Sequence, residues 1–272
     1  MSAPRIIGIV LVKDEDLFIE QVLTNLIDFC DKIIVTDNLS TDETAGKIQA
    51  ISQKNDIVEY HRIKKISQSH ELIQKYAGKN VWVFGVDGDE IYDPHGLADF
   101  REELLAGKYA DWWMIFGNVL HCTTFDREQR KVTGHFAPPC RSMTKLYNFG
   151  MIESWLGSSG ERLHGGEVVF KQGFGEERRC YLYQETPWEK SLFRCLHMCF
   201  LKRSSRQKSW KGQYIPRQNP ADILSQTRLQ LLWSYIRKGL GMPVEGKQEW
   251  KIDKFTRGQV HTVDVDQFFG SG

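Results

Sequence analysis

Several absences narrow the choices before any motif is considered. No apolar run approaches the roughly 18 to 20 residues of a membrane span. Cys30, Cys122, Cys140, Cys180, Cys195 and Cys199 include no Cys-x-x-Cys pair. They are too sparse for a disulfide framework in a chain of 272 residues, so reduced thiols are expected. Net charge is almost absent: 36 Lys plus Arg against 35 Asp plus Glu leave +1. That argues against nucleic acid as a partner and makes any basic site local. There is no internal repeat and no low-complexity stretch. The apolar stretch 6–12 is cut off by Lys13-Asp14-Glu15-Asp16 and has no small-residue cleavage site, which excludes a signal peptide. A cytoplasmic location is the resulting expectation. Composition is that of a globule, 41% hydrophobic and 26% charged, and excludes a disordered or collagen-like chain. The length suits one domain, or one domain with an appended lobe.

What is present is a regular alternation over the first 120 residues. Residues 6–12 have the continuous apolar character of a strand covered on both faces. Ile19, Val22, Leu23, Leu26, Ile27 and Cys30 recur at helical spacing. Residues 32–36 form a second strand. Asp37-Asn38-Leu39 then turns into Ser40-Thr41-Asp42-Glu43, a capping-box pattern that opens a helix to about residue 53. A strand at 56–63, a helix at 67–76 and a strand at 81–86 follow. Asp93-Pro94 opens a helix to about 105, and 111–120 reads as a further strand. This pattern predicts an α/β fold, a mostly parallel sheet with helices on both faces. Ligands of such sheets bind beyond the carboxyl ends of the strands. Residues 121–272 are less periodic. Short strands are expected at 167–171 and 180–184, with helical character at 186–197 and, more clearly, at 220–238. The tail from 246 on is polar and carries no structural expectation.

The strand ends carry the chemistry. A buried strand delivers Asp87-Gly88-Asp89-Glu90, and Gly88 permits a sharp turn. Asp87 and Asp89 can then approach one oxygen-preferring divalent cation, whose shell a nucleotide diphosphate would complete. The competing reading is a solvated acidic turn; the preceding strand and the other acidic strand ends favour the metal. Asp37 ends another buried strand and could accept hydrogen bonds from a base or ribose. Ser40 and Asp42 are candidates for helix capping, which does not exclude ligand contact. Asn38-Leu39-Ser40 is a glycosylation sequon, and a glycan there would block the pocket, which argues against a secretory compartment.

Three segments in order, Ile9-Val10-Leu11-Val12-Lys13-Asp14-Glu15, Ile34-Val35-Thr36-Asp37-Asn38-Leu39-Ser40-Thr41-Asp42-Glu43-Thr44 and Val86-Asp87-Gly88-Asp89-Glu90, resemble glycosyltransferase family 2 and its relatives. The resemblance covers roughly residues 5–95. It implies the GT-A fold, a Rossmann-like nucleotide-sugar half over 1–120 joined to an acceptor-side α+β lobe with C-terminal helices over 121–272. It implies that Asp37 and the Lys13-Asp14-Glu15 turn meet the nucleotide, through Lys13 and Glu15 among others. It implies that Asp87 and Asp89 hold Mn²⁺ or Mg²⁺ on the sugar diphosphate. Glu90 marks an Asp-x-Asp-Glu branch, and Asp14 stands where many members have Asn. Downstream, residues 202–211 hold five basic residues and no acid. Such an arm can neutralise a departing diphosphate. Its Arg203-Ser204-x-x-Gln207-x-x-x-Lys211 is similar to a pattern that follows a histidine in the same branch, though the gap from His197 is longer here. That resemblance makes Arg203 and Lys211 donor contacts and His197 a third metal ligand; the alternatives are a solvated basic face and a core histidine. Cys195-x-His197-x-Cys199 fits strand alternation, thiols on one face and histidine on the other, better than zinc.

An inverting enzyme also needs a carboxylate to deprotonate the acceptor hydroxyl. Glu161 is preferred, because glycines and His164 surround it; Glu153 and Asp126 are the other candidates. Trp112, Trp113 and Trp155 could stack on an acceptor sugar, although most tryptophans serve the core. The expected function is a metal-dependent, inverting glycosyltransferase that uses a UDP-linked sugar. Its acceptor would be a glycan, a lipid-linked sugar or a protein, with peripheral membrane contact left open. A sugar-nucleotide nucleotidyltransferase would need a Gly-rich loop where residues 6–15 have only Gly8. A non-catalytic nucleotide or sugar binder would not need Asp87 and Asp89.

Overall fold

In the computed structural model of the chain the described residues are 4–142, 145–156, 163–207 and 254–270, with the pairs 209–210 and 213–214 and residues 233 and 236. Strand β1 (Arg5–Val12) is apolar after Arg5, and both its faces are covered. Ile6, Val10 and Val12 enter one core with Ile33, Val35, Phe84 and Val86. Ile7 and Ile9 enter a second core with Ile34, Val81 and Val83. Successive side chains thus alternate between two layers. Helix α1 (Ile19–Leu26) lays Ile19, Val22, Leu23 and Leu26 on the first core. Strand β2 (Lys32–Asp37), helix α2 (Thr44–Ser52), strand β3 (Val58–Arg62), helix α3 (Gln68–Gln74) and strand β4 (Val81–Asp87) follow in the expected order. Helix α3 puts Ile73 into the second core, so helices cover both faces.

Strands β4, β1, β2 and β3 lie side by side and parallel. Val12 pairs with Asp37 and Leu11 with Asp87. Lys13, Asp37 and Asp87 therefore leave the sheet at one edge, as the sequence requires.

Past β4 the chain forms β5 (Glu90–Tyr92), α4 (Pro94–Leu105), β6 (Met114–Phe116), β7 (Asn118–Asp126), β8 (Lys131–Ala137), β9 (Lys145–Asn148), β10 (Ile152–Leu156), β11 (Glu167–Phe170) and β12 (Arg179–Tyr181). Then come α5 (Leu182–Glu185), β13 (Arg194–His197), the short pair β14 (Ser209–Trp210) and β15 (Gln213–Tyr214), β16 (Val260–Asp264) and α6 (Asp266–Phe269). Strand β9 lies antiparallel between β4 and β6, which makes the seven-stranded sheet mixed beyond its parallel centre. A second sheet of five strands has the order β16-β8-β7-β13-β5. Residue 120, the expected boundary between halves, falls inside β7. Among the described residues no helix is long and apolar enough to cross a membrane.

Three expectations are corrected. The strand over 111–120 divides at Gly117 into β6 and β7, which belong to different sheets. A Cβ at Gly117 would stand 2.2 Å from the Phe193 carbonyl oxygen, so the chain changes sheet where only glycine fits. Residues 186–197 are not helical beyond one 3₁₀ turn at Trp188–Lys190. They end in β13, which is held between β5 and β7; ladder bonds on both sides override any local helical preference. Residues 180–184 are only briefly extended before α5. The helix expected at 220–238 lies outside the described residues except at Trp233 and Ile236, both helical and exposed. The tail does contribute structure: β16 pairs with β8, and Asn25 Nδ2 donates to the carbonyls of Phe268 and Tyr92 at 2.7 Å each.

Asp93 performs the expected capping, accepting from the amides of His95 at 3.1 Å and Gly96 at 3.2 Å. Its other oxygen takes Arg194 Nε at 3.0 Å and Nη2 at 2.8 Å. This buried pair ties α4 to β13. Removing one partner of such a pair leaves an uncompensated buried charge, so Asp93→Ala should lower unfolding free energy by about 3–5 kcal/mol in urea titration.

Candidate functional site

The Asp87-Gly88-Asp89-Glu90 run is the joint between the two sheets, since β4 ends at Asp87 and β5 begins at Glu90. Asp87 is half-buried, and its amide donates to Glu90 Oε2 at 3.1 Å. Gly88 does not take a left-handed conformation; its glycine is needed for space. A Cβ there would stand 1.9 Å from Glu15 Oε2 and 2.8 Å from Val12 Cγ1. Glu15 therefore crosses directly over the middle of the acidic motif.

Asp89, only 2% exposed, is the meeting point of the site. Its Oδ2 accepts from Arg203 Nη1 at 2.6 Å, and Oδ1 lies 3.8 Å from His197 Nε2. The same Arg203 nitrogen stands 3.3 Å from Glu15 Oε1. Burial works against the Arg203 charge, but Asp89 and Glu15 outweigh it and raise its pKa further. Met198 N donates to the Asp89 carbonyl at 2.9 Å, and His197 pairs with Glu90 across the β13–β5 ladder. His197 in turn meets His121 of β7, Nδ1 to Nδ1 at 2.8 Å. His121 Nε2 is 2.8 Å from the Arg141 carbonyl. Ligand atoms of His121, His197 and Cys199 all lie within 4.8 Å of one another. Cys199 and His197 are thus on the same side, not on opposite faces, because β13 ends at His197 and the chain turns. All six cysteines are free thiols and buried.

The basic arm is latched to the acidic edge through its serines. Ser204 Oγ donates to Asp42 Oδ2 at 2.5 Å, and Ser205 N donates to Asp16 Oδ1 at 2.7 Å. Ser205 Oγ also bonds Asp16 Oδ2. Leu17 N donates to the Arg203 carbonyl at 3.0 Å. Burial alone would raise the Asp42 carboxyl, but hydrogen bonds from Ser204 and Thr44 prevail and hold it below the ordinary carboxylate range. Asp37 is fully buried, and its oxygens accept from the Ser40 amide and the Tyr60 hydroxyl, each at 2.8 Å. Burial and that hydrogen bond push the Tyr60 hydroxyl up to about 12. Ser40 does not cap α2; its hydroxyl accepts from the Asp14 amide at 2.9 Å. Asp14 takes φ +51° and returns the contact by accepting from Thr41 N at 2.6 Å. Lys13 is half-buried just past β1.

The other candidates are dispersed. Glu153 is exposed, and its strand starts at the amino end of β4: Gly78 N bonds the Phe149 carbonyl, and a Cβ at Gly78 would lie 3.9 Å from the Glu153 carbonyl. That is the edge opposite Asp87. Asp126 closes its own hairpin by accepting from Gln129 N at 2.9 Å. Trp113 and Trp155 pack in the second core, while Trp112 is exposed. Glu161 and Lys211 lie outside the described residues. Leu163, however, sits against Gly85, where a Cβ would be 2.7 Å from its Cδ1. Sequence reasoning missed His121, Asp16, Thr44 and Tyr60. His121 lies inside β7, directly after the apolar pair Val119 and Leu120, so no strand end marked it as Asp37 and Asp87 are marked.

Residues 9–209 match the model of Glycosyl transferase family 2. Among solved structures the chain is similar to S. aureus TarS, at 17% identity, covering 54% of this chain and 48% of that one, with a TM-score of 0.37. It is similar to glucosyl-3-phosphoglycerate synthase from Mycobacterium tuberculosis in complex with Mn²⁺, UDP and phosphoglyceric acid, at 23% identity, covering 43% of each chain, TM-score 0.30. It is also similar to 4-diphosphocytidyl-2C-methyl-D-erythritol synthase from Anaerococcus prevotii, at 13% identity, covering 54% of this chain and 71% of that one, TM-score 0.32. The match spans about half of that TarS chain, which is residues 1–349, and 29% of a longer TarS chain. No curated protein matches it.

The arm's serines have a measurable consequence. A carboxyl held low in the folded state contributes stability above its unfolded pKa, and that contribution is lost as pH falls through the folded value. In Ser204→Ala the Asp42 carboxyl should titrate higher than in the parent, followed by its ¹³C shift, and acid unfolding should begin at higher pH.

Proposed function

The chain belongs to glycosyl transferase family 2, and on that footing we propose that it transfers a sugar from a nucleoside diphosphate sugar to an acceptor hydroxyl, at the carboxyl edge of the parallel strands. The single observation carrying this is the Asp89 carboxylate, buried between His197 on one oxygen and Arg203 on the other, at the end of the strand next to β1. The family supplies the reaction class. The donor base (UDP), the divalent ion and inversion are the finer parts of the proposal.

The residues fit a divalent ion. Asp89 Oδ1 and His197 Nε2 are 3.8 Å apart, within the span of two bonds of about 2.1 Å each. Asp87 is the further carboxylate at the same strand end. Carboxylates suit both Mg²⁺ and Mn²⁺, and an imidazole ligand tilts the set toward the transition ion. When bound, the ion would neutralise charge on the diphosphate as a Lewis acid. Arg203 brings a planar guanidinium with five donors, and its unshared N–H groups can take phosphate oxygens. Asp37 orders the Ser40 turn and Tyr60, each of its oxygens keeping a second lone pair for a nucleoside. Lys13, Glu15 and Ser40 line the same edge, and Lys211 extends the basic arm. The acceptor-side base is assigned to Glu161, two residues before the Leu163 that packs on Gly85. Its carboxylate would take the acceptor proton as the hydroxyl attacks the anomeric carbon from the face opposite the leaving diphosphate. The acceptor is a glycan, a lipid-linked sugar or a protein side chain. Gly8 lies in β1 with its would-be Cβ 3.1 Å from Cys30 Sγ. It is a packing glycine, which supports transfer over a nucleotidyltransferase phosphate loop.

Two measurements test this. Asp89→Ala should reduce Mn²⁺-dependent donor turnover by at least about 100-fold, and should remove the rise in Tm that UDP with Mn²⁺ gives the parent. Glu161→Gln should lower kcat by about 100- to 10,000-fold while donor affinity by calorimetry stays unchanged.

A further inference from the structure

His121 lies on the β7 strand, outside every motif that marks the site, yet it is fully buried and bonded to a site residue. The ladders place Glu90, His197 and His121 in one cross-strand row over β5, β13 and β7. Directly opposed residues on neighbouring strands project from the same face, and the two imidazoles meet edge to face at 5.0 Å between centroids. Phe255, itself buried, packs on both rings, at 4.5 Å from His121 and 5.6 Å from His197.

Proton positions then follow one from another. The Arg141 carbonyl can only accept, so the proton of its 2.8 Å contact belongs to His121 Nε2. A neutral His121 therefore has a lone pair at Nδ1. The 2.8 Å Nδ1-to-Nδ1 contact must then be donated by His197. With its proton at Nδ1, a neutral His197 presents Nε2 as a Lewis base, and Nε2 is the atom 3.8 Å from Asp89 Oδ1.

We propose that His121 is a positioning residue: a relay from the Arg141 carbonyl through His121 fixes the tautomer of His197, so that Nε2 and the Asp89 carboxylate face a divalent cation as paired donors. The metal half of this rests on the function proposed above; the tautomer half does not. Outer partners of a ligating imidazole commonly set its tautomer and orientation, and their loss costs about 10- to 100-fold in metal affinity. Cys199, whose thiol is within ligand distance of both histidines, lies beside the relay without being needed by it.

The test uses the full-length metal-free protein with ¹⁵N-labelled histidine. Long-range ¹H–¹⁵N spectra should show His197 protonated at Nδ1 with a pyridine-like Nε2. In His121→Phe the acceptor is gone, and His197 should shift toward the Nε2–H form, with Mn²⁺ affinity by calorimetry falling about 10- to 100-fold. His121→Asn puts a carbonyl oxygen near the former Nδ1 and should restore both readouts; it also serves if the Phe variant does not fold. An Nε2–H His197 in the parent would overturn the relay, as would a Phe variant unchanged in both tautomer and affinity. Stoichiometric zinc on His121 and Cys199 in the purified protein would overturn it too, since His121 Nδ1 would then be a ligand. A parent that binds no Mn²⁺ would sink the metal reading of the site, while its spectrum still decides the relay.

Discussion

One carboxylate joins the two ends of the site. Asp89 reaches Arg203 with one oxygen and faces His197 with the other, and these partners come from more than 100 residues downstream. Its neighbours are placed by backbone as much as by charge. The amide of Met198 anchors the Asp89 carbonyl, and the strand containing His197 pairs with the strand that begins at Glu90. The charge balance is local. Burial of Asp89 and Glu15 would be costly without a cation, and the cation supplied is a guanidinium able to bond both. The acidic edge and the basic arm are therefore one construction, each unfavourable alone.

The arm is held by more than its charge. Ser204 and Ser205 fasten it to Asp42 and Asp16, which belong to the connections after β2 and β1. The segment that would meet a leaving diphosphate is thus already tied to the loops that would meet the nucleoside. Within those loops, the Asp14 amide donates to Ser40 Oγ and the Asp14 carboxylate accepts from the Thr41 amide, so the turn after β1 is bonded to the turn after β2. A preorganised edge of this kind is what electrostatic stabilisation requires, since donors already in place need no reorganisation when charge develops.

Several elements were legible without coordinates because their determinants are local. The continuous apolar run of β1, the helical stripe in α1 and the Asp93-Pro94 start of α4 all follow from residues close in sequence. The common edge for Lys13, Asp37 and Asp87 follows from right-handed crossovers between parallel strands. Other features were misjudged for one shared reason. The capping box at Ser40, the strand through Gly117 and the helix at 186–197 each lost to a partner far along the chain: Asp14, the Phe193 carbonyl, and the paired strands β5 and β7. Gly88 does sit in the turn between β4 and β5, and what requires glycine there is room for Glu15.

The residue order by itself determined the layered α/β class, the edge at which chemistry gathers and the acidic types found there. Those depend on periodicity and on strand direction, which short windows encode. Only the tertiary structure decided which carboxylate receives the arginine, that a second histidine stands behind the first, and that Glu153 lies at the edge opposite Asp87. Each of those outcomes rests on ladder register and close approach between segments tens to hundreds of residues apart, and no local pattern of side chains carries that information.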